Sequence, residues 1–229
     1  MKILTLINKF RWRWLKFWLQ PIRVFCMHHV CEYYDEEVMC SCDWMALSEF
    51  KNKIIALQKE GYHFISLTNA YHYLHNEFIR RKKLAVITFD DGYKSLLEVL
   101  PWLKEQQIPV TLFINGKYLD GKSYRDTSKE RYLTYDELFF LTSPLIEIGH
   151  HGWEHTSVHT MSEEDFRESV HLNIDILSKH PHYIPFWSYT WGHHNDTSDS
   201  YLMKMNIVPV VITGGKNYLY KGYLDRELL

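Results

Sequence analysis

Two adjacent carboxylates follow an apolar run near the middle of the chain, where residues 84–93 read Leu-Ala-Val-Ile-Thr-Phe-Asp-Asp-Gly-Tyr. A short run of β-branched and aromatic residues bounded by a glycine turn predicts a buried strand. Asp90 and Asp91 would then lie at its carboxyl end, where α/β folds place their chemistry. Paired carboxylates there are typical of a metal hydrolase site, but an Asp-Asp-Gly sequence also suits a solvated turn. This segment alone favours neither interpretation over the other.

A cluster of imidazoles follows a second apolar run, in residues 146–155, which read Ile-Glu-Ile-Gly-His-His-Gly-Trp-Glu-His. The spacing of His151 and His155 allows them to converge on one ion. Imidazole nitrogens and a carboxylate oxygen suit zinc and similar divalent metals, and three protein ligands leave coordination positions open for water and substrate. The chain has 14 histidines, however, and His155 and His159 share the same spacing. The residue types therefore leave the choice of histidine pair open.

Both segments resemble signatures of one family, the polysaccharide deacetylases or NodB-like carbohydrate esterases. The matching residues are 88–92, Thr-Phe-Asp-Asp-Gly, and 147–155, Glu-Ile-Gly-x-His-x-x-x-His. The resemblance implies that Asp90 is the general base and that Asp91, His151 and His155 hold a divalent metal. Zinc is the expected metal, with cobalt or nickel as alternatives. The Glu-Ile-Gly register favours this histidine pair and leaves His159 outside.

A third segment, residues 186–192, reads Phe-Trp-Ser-Tyr-Thr-Trp-Gly and resembles a later signature of the family. That signature usually reads Arg-Pro-Pro-Tyr-Gly or Ala-Tyr-Pro-Tyr-Gly. Trp191 takes the aromatic position, whose backbone amide helps to bind the oxyanion in the family. The resemblance implies that Tyr189 and Trp191 bind the sugar. Ser188 stands where many members have an arginine that contacts the catalytic aspartate, so the chain is nearer to the Ala-Tyr-Pro-Tyr-Gly branch.

The general acid is not fixed by these three segments. Residues 27–30, Met-His-His-Val, resemble the Tyr-His-x-Val that opens many members of the same branch, so His28 is expected to line the site as a catalytic residue. Many members supply the acid from a terminal Leu-x-His motif, but no histidine follows His194 here. His28, His193 and His194 are all candidates, because histidine changes charge near neutral pH.

The resemblance implies a metal-dependent hydrolase that removes acetyl groups from N-acetylated sugars of a polysaccharide or glycoconjugate. Such an enzyme acts on a carbon-nitrogen bond other than a peptide bond, and its partner is an N-acetylated glycan or a lipid-linked sugar. Two alternatives remain. One is a catalytically silent carbohydrate-binding relative, and the other is an O-acetyl ester hydrolase with the same site, since ester and amide pass through a similar tetrahedral species.

The elements that must position these residues alternate between strand-like runs and helical patterns. One helix carries Phe50, Ile54 and Leu57 on one face and stops at Gly61, and another opens with a capping-box pattern at Ser162. With about seven strands in a β/α order, we expect an α/β fold, a distorted and incomplete (β/α) barrel, which the resemblance also implies. Strand-like runs lie near residues 24–27, 84–89, 110–115, 145–148, 184–189 and 207–213.

The composition is that of a soluble enzyme. A length of 229 residues, with 46% hydrophobic and 24% charged residues, predicts one domain with a sizeable core. The net charge of −2 gives no reason to expect nucleic acid as a partner. Residues 1–20 lack the apolar core and cleavage site of a secretory signal. The expected location is therefore the cytoplasm, either free or at the membrane surface.

Residues 1–22 are predicted to be a basic amphipathic segment that precedes a single deacetylase-like domain, residues 23–229. Apolar residues recur there at helical spacing with lysine and arginine between them: Ile3, Ile7, Phe10, Trp14 and Phe17. A helix of this kind could contact an anionic membrane surface. The favoured interpretation is a helix that packs over the end of the barrel. A truncated protein lacking residues 1–20 that binds anionic vesicles as well as the full chain does would contradict the membrane contact.

Overall fold

The computed structural model of the chain describes residues 20–34, 44–76, 82–122 and 131–229. Nearly all of the predicted amphipathic segment lies outside these ranges, so its boundary and its membrane contact stay predictions. Among the described residues, no helix combines the length and the apolar character needed to cross a membrane.

Strands and helices alternate along most of the chain. The strands are β1 (Ile22–Met27), β2 (His29–Cys31), β3 (Trp44–Ala46), β4 (Tyr62–Phe64), β5 (Lys83–Phe89), β6 (Val110–Ile114), β7 (Ile146–His150), β8 (Tyr183–Ser188), β9 (Val208–Ile212), β10 (Lys216–Asn217) and β11 (Leu224–Leu228). The α-helices are α1 (Leu47–Lys59), α2 (Leu67–Asn76), α3 (Leu96–Glu105), α4 (Tyr135–Phe139), α5 (Glu163–Leu177) and α6 (Asp196–Lys204). Short 3₁₀ turns cover Gly116–Asp120 and Thr190–Gly192.

Seven of the strands form a closed parallel barrel, in the order β1-β11-β9-β8-β7-β6-β5. Pairing between β5 and β1 closes the ring, with Ile22 opposite Leu84 and Met27 opposite Phe89. Strands β4 and β10 add to the ring at its edges, and β2 and β3 form a separate pair. The predicted (β/α) barrel is therefore confirmed, and it is incomplete because it lacks the full complement of a TIM barrel.

All six predicted strand-like runs correspond to barrel strands, but the seventh barrel strand, β11, was not predicted. Its sequence, Leu-Asp-Arg-Glu-Leu, contains a run of charged residues that argues against a buried strand. The structure shows why charge is tolerated there. Asp225 accepts a hydrogen bond from the backbone of Thr213 at 2.6 Å, and Arg226 is fully buried inside the barrel against a carboxylate.

Both predicted helices are present. In α1 the side chains of Phe50, Ile54 and Leu57 are buried, and the chain turns at Gly61 with a φ of 89° that glycine adopts without strain. Helix α5 begins after Ser162, whose hydroxyl accepts a hydrogen bond from the backbone of Asp165 at 3.1 Å. The Asp165 carboxylate in turn accepts from the Ser162 backbone at 3.3 Å, which completes the capping box.

Strand alternation decides which side chains enter the barrel, because successive residues point to opposite faces of a strand. One buried cluster takes every second residue of β1, β5, β8 and β9: Ile22, Val24, Leu84, Val86, Ile184, Phe186, Val208 and Val210. The same alternation, continued toward the carboxyl ends of the strands, brings polar side chains into the interior: Cys26, Thr88, Ser188 and Arg226. Asp90 follows Thr88 at the same spacing. The barrel therefore presents an apolar floor beneath a polar centre.

Candidate active site

Three predicted metal ligands converge at the carboxyl end of the barrel. Asp91, His151 and His155 each offer one ligand atom, and these atoms all lie within 4.8 Å of one another. The Nε2 atoms of His151 and His155 lie 3.3 and 3.1 Å from Oδ1 of Asp91. All three side chains are buried. Asp91 follows β5, and His151 and His155 follow β7. The carboxyl ends of parallel barrel strands lie at the same rim, so the two motifs meet there.

The orientation of His151 is set by hydrogen bonds at both of its ends. Its Nδ1 donates to the backbone carbonyl of Ser188 at 2.9 Å, which leaves Nε2 facing Asp91. Its own backbone carbonyl accepts hydrogen bonds from Asn115 Nδ2 at 2.6 Å and from Thr190 Oγ1 at 3.2 Å. A second hydrogen bond that fixes the ring is the usual arrangement for a metal-binding histidine. Asn115 was not predicted from the sequence, although its place directly after β6 matches that of the other site residues.

Backbone strain marks the same site. Among the described residues, five that are not glycine have a positive φ, and three of these are Asp91, His155 and Trp191, at 69°, 57° and 59°. The other two, Gln107 and Asn206, directly follow helix ends, where a left-handed residue is common. A left-handed backbone conformation is strained for residues other than glycine, and such strained residues are often found at functional sites. The three strained residues hold a carboxylate, an imidazole and an indole at one rim of the barrel.

Gly149 has a packing role that explains its place in the second motif. A Cβ atom at this position would lie 2.7 Å from Cε1 of Phe113 and 3.0 Å from the carbonyl oxygen of Phe186. Both neighbours belong to the strands that flank β7, so only a glycine lets the three strands approach here. Two residues earlier, the Glu147 carboxylate accepts hydrogen bonds from the Leu67 backbone and the Thr111 hydroxyl, both at 3.0 Å, and joins β7 to the start of α2.

The chemistry of Asp91, His151 and His155 fits a divalent cation. Burial tends to raise the pKa of Asp91, but hydrogen bonds from His151 and His155 outweigh it and the pKa is well below the usual range. Burial tends to lower the pKa of His151. The charge of Asp90 and the hydrogen bond to Asp91 outweigh burial, so the pKa of His151 is above its usual value. The centre therefore favours positive charge between its three ligand atoms. Two imidazoles and one carboxylate are a common donor set for zinc and related metals.

Asp90 is the buried carboxylate beside this centre, and an arginine holds it. Arg226 donates from Nη1 to Oδ1 at 2.7 Å and from Nη2 to Oδ2 at 2.8 Å. Ser188 Oγ accepts from Nη2 at 2.6 Å and donates to Oδ2 at 3.2 Å. Burial tends to raise the pKa of Asp90, but the charge of Arg226 outweighs it and the pKa is well below the usual range. The Asp90 carboxylate is thus ionised in the folded protein.

Arg226 thus makes the contact to Asp90 that an arginine at position 188 makes in many members of the family that the sequence resembles. A guanidinium does reach Asp90, but it comes from β11 instead of β8, and Ser188 contacts both groups. The sequence contains one weak indication that Arg226 is buried: it is the single cation of a short segment with leucine at both ends. That signal is too common to identify a functional residue.

A second group of possible ligands consists of Cys26, His28 and Asp90. The Cys26 thiol donates to Asp90 Oδ2 at 3.5 Å, and burial raises the pKa of this thiol well above its usual value. Both oxygens of Asp90 are already bound by Arg226. A neutral thiol and a carboxylate with a cation in place suit a metal less well than the group around Asp91.

The structure separates the candidate general acids. His28 follows β1, and the backbone amide of Asp90 donates to the carbonyl of Met27 at 2.9 Å, which places His28 beside Asp90. His193 Nδ1 lies 2.8 Å from the hydroxyl of Ser157, and His194 Nδ1 lies 2.9 Å from the carboxylate of Asp199. Of the three, His28 is the one grouped with Asp90.

His159, the alternative metal ligand, lies outside the centre. Its ring stacks on His193 with 4.6 Å between the centroids, and its Nε2 is 3.3 Å from the carbonyl oxygen of His194. The structure therefore brings His151 and His155 to Asp91 and leaves His159 with the segment that follows β8.

The two aromatic residues predicted to bind substrate differ in exposure. Trp191 is 64% exposed, and its ring lies edge-on to His155 with 5.0 Å between the centroids. Tyr189 is only 2% exposed, and its hydroxyl donates to Asp199 at 2.8 Å. The structure thus does not place the Tyr189 side chain where it could contact a sugar. Strand alternation is the reason, because Ser188 points toward Asp90 and its neighbour Tyr189 must point away.

His150, next to the metal ligands, predicts a pH dependence of stability. It is fully buried, and its Nε2 lies 2.9 Å from the Tyr183 hydroxyl. Burial lowers its pKa from 6.5 to about 3, so the folded chain keeps it neutral where the unfolded chain protonates it. Between these two values, its contribution should lower the free energy of unfolding by about 1.4 kcal/mol for each unit that the pH falls.

The His150→Gln variant isolates this contribution, because glutamine can still bond to the Tyr183 hydroxyl but does not titrate. Urea unfolding of both proteins across this acidic range should give a steeper loss of stability for the wild type. Equal slopes would show that His150 titrates normally in the folded protein.

A parallel (β/α) barrel with a buried Asp-His-His centre and an adjacent ionised aspartate defines a class of hydrolase. The family model described as polysaccharide deacetylase matches residues 79–210 of this chain. The chain belongs to the polysaccharide deacetylase family, enzymes that hydrolyse carbon-nitrogen bonds other than peptide bonds. No curated protein matches its sequence.

Several solved structures share the fold at low sequence identity. IcaB from Ammonifex degensii has a TM-score of 0.78 and 19% identity, over 92% of this chain and 92% of that one. A de-N-acetylase from Aggregatibacter actinomycetemcomitans has a TM-score of 0.73 and 18% identity, over 92% and 95% of the two chains. The Streptococcus pyogenes deacetylase PplD, in complex with acetate, has a TM-score of 0.73 and 19% identity, over 92% and 93%.

Proposed function

We propose that this protein is a metal-dependent hydrolase that removes acetyl groups from N-acetylated sugars of a polysaccharide or glycoconjugate. One observation carries the proposal: the convergence of Asp91, His151 and His155 beside the ionised Asp90. Deacetylation of an acetamide needs an electrophile for the carbonyl, a base for the attacking water and an acid for the leaving amine. The site offers a candidate for each.

Asp91, His151 and His155 would hold the divalent ion, with zinc as the expected metal. Such an ion supplies a Lewis acid that polarises the acetamide carbonyl and makes a water molecule more acidic. Asp90 accepts the proton of the attacking water, because Arg226 keeps it ionised and fixes both of its oxygens. Its Oδ2 lies 3.8 Å from Nε2 of His151, so base and ligands face the same small volume.

His28 is the proposed general acid. The leaving amine must gain a proton as the carbon-nitrogen bond breaks, and a partly exposed histidine can deliver it. Support comes from the grouping of His28 with Asp90 and from the other contacts of His193 and His194. His28 directly follows β1, and Asp90 directly follows β5. Because β1 and β5 are neighbours in the closed ring, the two side chains lie close together.

Trp191 is the proposed sugar platform, and its backbone amide is the proposed oxyanion donor. An exposed indole beside His155 offers an apolar face next to the reacting carbonyl. Donors held in place by the fold stabilise developing charge without reorganising during the reaction. The left-handed backbone at Trp191 supports this role, because it keeps a bulky residue at a strained but fixed position.

Two alternatives are weaker. A silent carbohydrate-binding relative has no need for buried side chains that converge beside an ionised aspartate, so this arrangement supports the hydrolase. An O-acetyl ester hydrolase would use the same groups, but an ester leaves as an alcohol and depends less on a general acid. Two structural neighbours, a de-N-acetylase and a deacetylase in complex with acetate, also support N-deacetylation.

The test is acetate release from N-acetylglucosamine oligomers and from O-acetylated sugars. The protein is assayed as purified, after chelation, and with zinc, cobalt or nickel restored. We expect release from the N-acetylated substrate that chelation abolishes and metal restores. Release from the O-acetylated substrate alone would establish the esterase. No release and no bound metal would contradict the proposal and favour the silent relative.

A further inference from the structure

The loop from His151 to His155 is held through its backbone by the segment that follows β6. Asn115 Nδ2 donates to the carbonyl of His151 at 2.6 Å and to the carbonyl of Gly152 at 3.2 Å. The Asn115 side chain is buried, and its Oδ1 has no hydrogen-bond partner among the described residues. The donor end of this amide is therefore what joins Asn115 to its surroundings.

Two further donors of the same segment hold the second half of the loop. The Lys117 backbone amide donates to the carbonyl of Trp153 at 3.0 Å, and the Tyr118 hydroxyl donates to the carbonyl of Glu154 at 3.0 Å. Together with the contacts of Asn115, these bonds engage four consecutive backbone carbonyls. Every peptide carbonyl between the two imidazole-bearing residues thus has a donor from one short stretch of chain.

Helix α5 fixes the donor segment and the loop together. Asn173 is fully buried, accepts from the backbone amide of Gly116 at 2.8 Å and donates to the carbonyl of Ile114 at 3.2 Å. A Cβ atom at Gly116 would lie 2.3 Å from Oδ1 of Asn173, so only glycine lets the two approach. Ser169 Oγ accepts from the backbone amide of Trp153 at 2.9 Å. The donors that follow β6 and the loop that they hold are thus both anchored to α5.

We propose that Asn115 is a positioning residue for the metal centre, holding the loop so that His151 and His155 face Asp91 before a metal binds. The inference rests on the proposed function, because it takes these three side chains to be the metal ligands. A loop of unconstrained backbone would have to be ordered when the metal binds, and that entropy cost would weaken binding. His155 adds to the need, since its φ of 57° is a strained conformation that the surrounding contacts must maintain.

The Asn115→Leu variant tests the proposal, because leucine has a similar size but no amide donors. Zinc is titrated into the metal-free protein and its binding is followed by calorimetry. We expect a zinc affinity about 10- to 100-fold lower than that of the wild type, the range for loss of a residue that orients metal ligands. At saturation the variant should still bind the wild-type amount of zinc, because all three ligands are present.

Asn217→Leu is the matched control. Asn217 is also a buried asparagine whose Nδ2 donates to two backbone carbonyls, those of Asp225 at 2.8 Å and Ile22 at 3.3 Å. These contacts lie at the amino end of β1, opposite the rim that carries the histidine loop. Both variants should lower the free energy of unfolding in urea, but Asn217→Leu should keep the wild-type zinc affinity. The comparison separates positioning of the ligands from a general loss of stability.

Tyr118→Phe is a milder variant of the same contact region. It removes the hydroxyl but keeps the ring, which stacks on Tyr132 with 4.5 Å between the centroids. We expect the zinc affinity to fall by about 10-fold. Tyr220→Phe is its control, because the Tyr220 hydroxyl also donates to a backbone carbonyl, that of Gly222 at 3.0 Å, and its loss should leave the zinc affinity unchanged.

An unchanged zinc affinity in folded Asn115→Leu would overturn the positioning role, and so would an equal loss of affinity in Asn217→Leu. If Asn115→Leu fails to fold, Tyr118→Phe and its control decide the question in the same way. The titration does not depend on turnover. A wild type that binds zinc but releases no acetate would refute the proposed function, and the affinities would still decide the positioning role. A wild type that binds no divalent metal would overturn both.

Crystal structures of the metal-free wild type and of Asn115→Leu give a direct readout of the loop. In the variant we expect the Nε2 atoms of His151 and His155 to lie farther from Oδ1 of Asp91 than 3.3 and 3.1 Å, their distances in the wild type. Histidines that keep their wild-type places in the variant would show that Asn115 does not position them.

Discussion

Replacing Asp90 by asparagine should leave a protein that binds its metal but turns over substrate about 10² to 10⁴ times more slowly, the range that a general base contributes. The amide cannot accept the proton of the attacking water. Asp91, His151 and His155 are unchanged, so metal binding should persist. Turnover and metal content measured on the same preparation test both halves of the prediction.

The same substitution should also destabilise the protein, because Arg226 is left as a buried charge without its partner. Breaking a buried ion pair by removing one member costs about 3–5 kcal/mol. The double variant Asp90→Asn with Arg226→Met removes the stranded charge and should recover much of this stability in urea unfolding. It should recover none of the turnover. Substantial turnover in either folded variant would exclude Asp90 as the base.

His155→Ala should lose both the metal and the activity. Loss of an outer hydrogen-bond partner already costs about 10- to 100-fold in metal affinity, so loss of a ligand should cost more than about 100-fold. Turnover should fall in parallel and should partly return at high metal concentration. Metal titration by calorimetry, followed by assays across the same concentrations, measures both effects.

His159→Ala is the control for this prediction, since His155 and His159 repeat the spacing of His151 and His155. The His159 ring stacks on His193 and makes no contact with Asp91 in the structure. Its replacement should leave stoichiometric metal in place. Retained metal in His155→Ala, or loss of metal in His159→Ala, would refute the ligand assignment.

The grouping of the proposed metal ligands and base could be predicted because the signals for it are local. Asp90 and Asp91 are adjacent, and His151 and His155 are close in sequence. A buried strand precedes each pair, and the ends of parallel strands meet at one rim. The apolar runs that identify the strands are equally local, and they were found within two residues of their observed bounds.

What the sequence did not reveal depends on contacts between distant segments. Arg226 binds Asp90 across 136 positions of the chain, inside a strand whose charged residues hide its buried location. Asn115 fixes the loop of His151 by a contact that no spacing rule describes. Tyr189 was predicted to face the sugar because of its residue type and motif, whereas strand alternation turns it toward Asp199.

Strand β11 lies between β1 and β9 in the ring, yet it is synthesised after every other barrel strand. Before it pairs, β1 and β9 have open edges and Asp90 has no buried counter-ion. A nascent chain that ends before β11 already contains the proposed base, the proposed acid and the three proposed metal ligands, but not the guanidinium that binds Asp90. The pairing of β11 that completes the ring therefore also gives the buried Asp90 carboxylate its counter-ion.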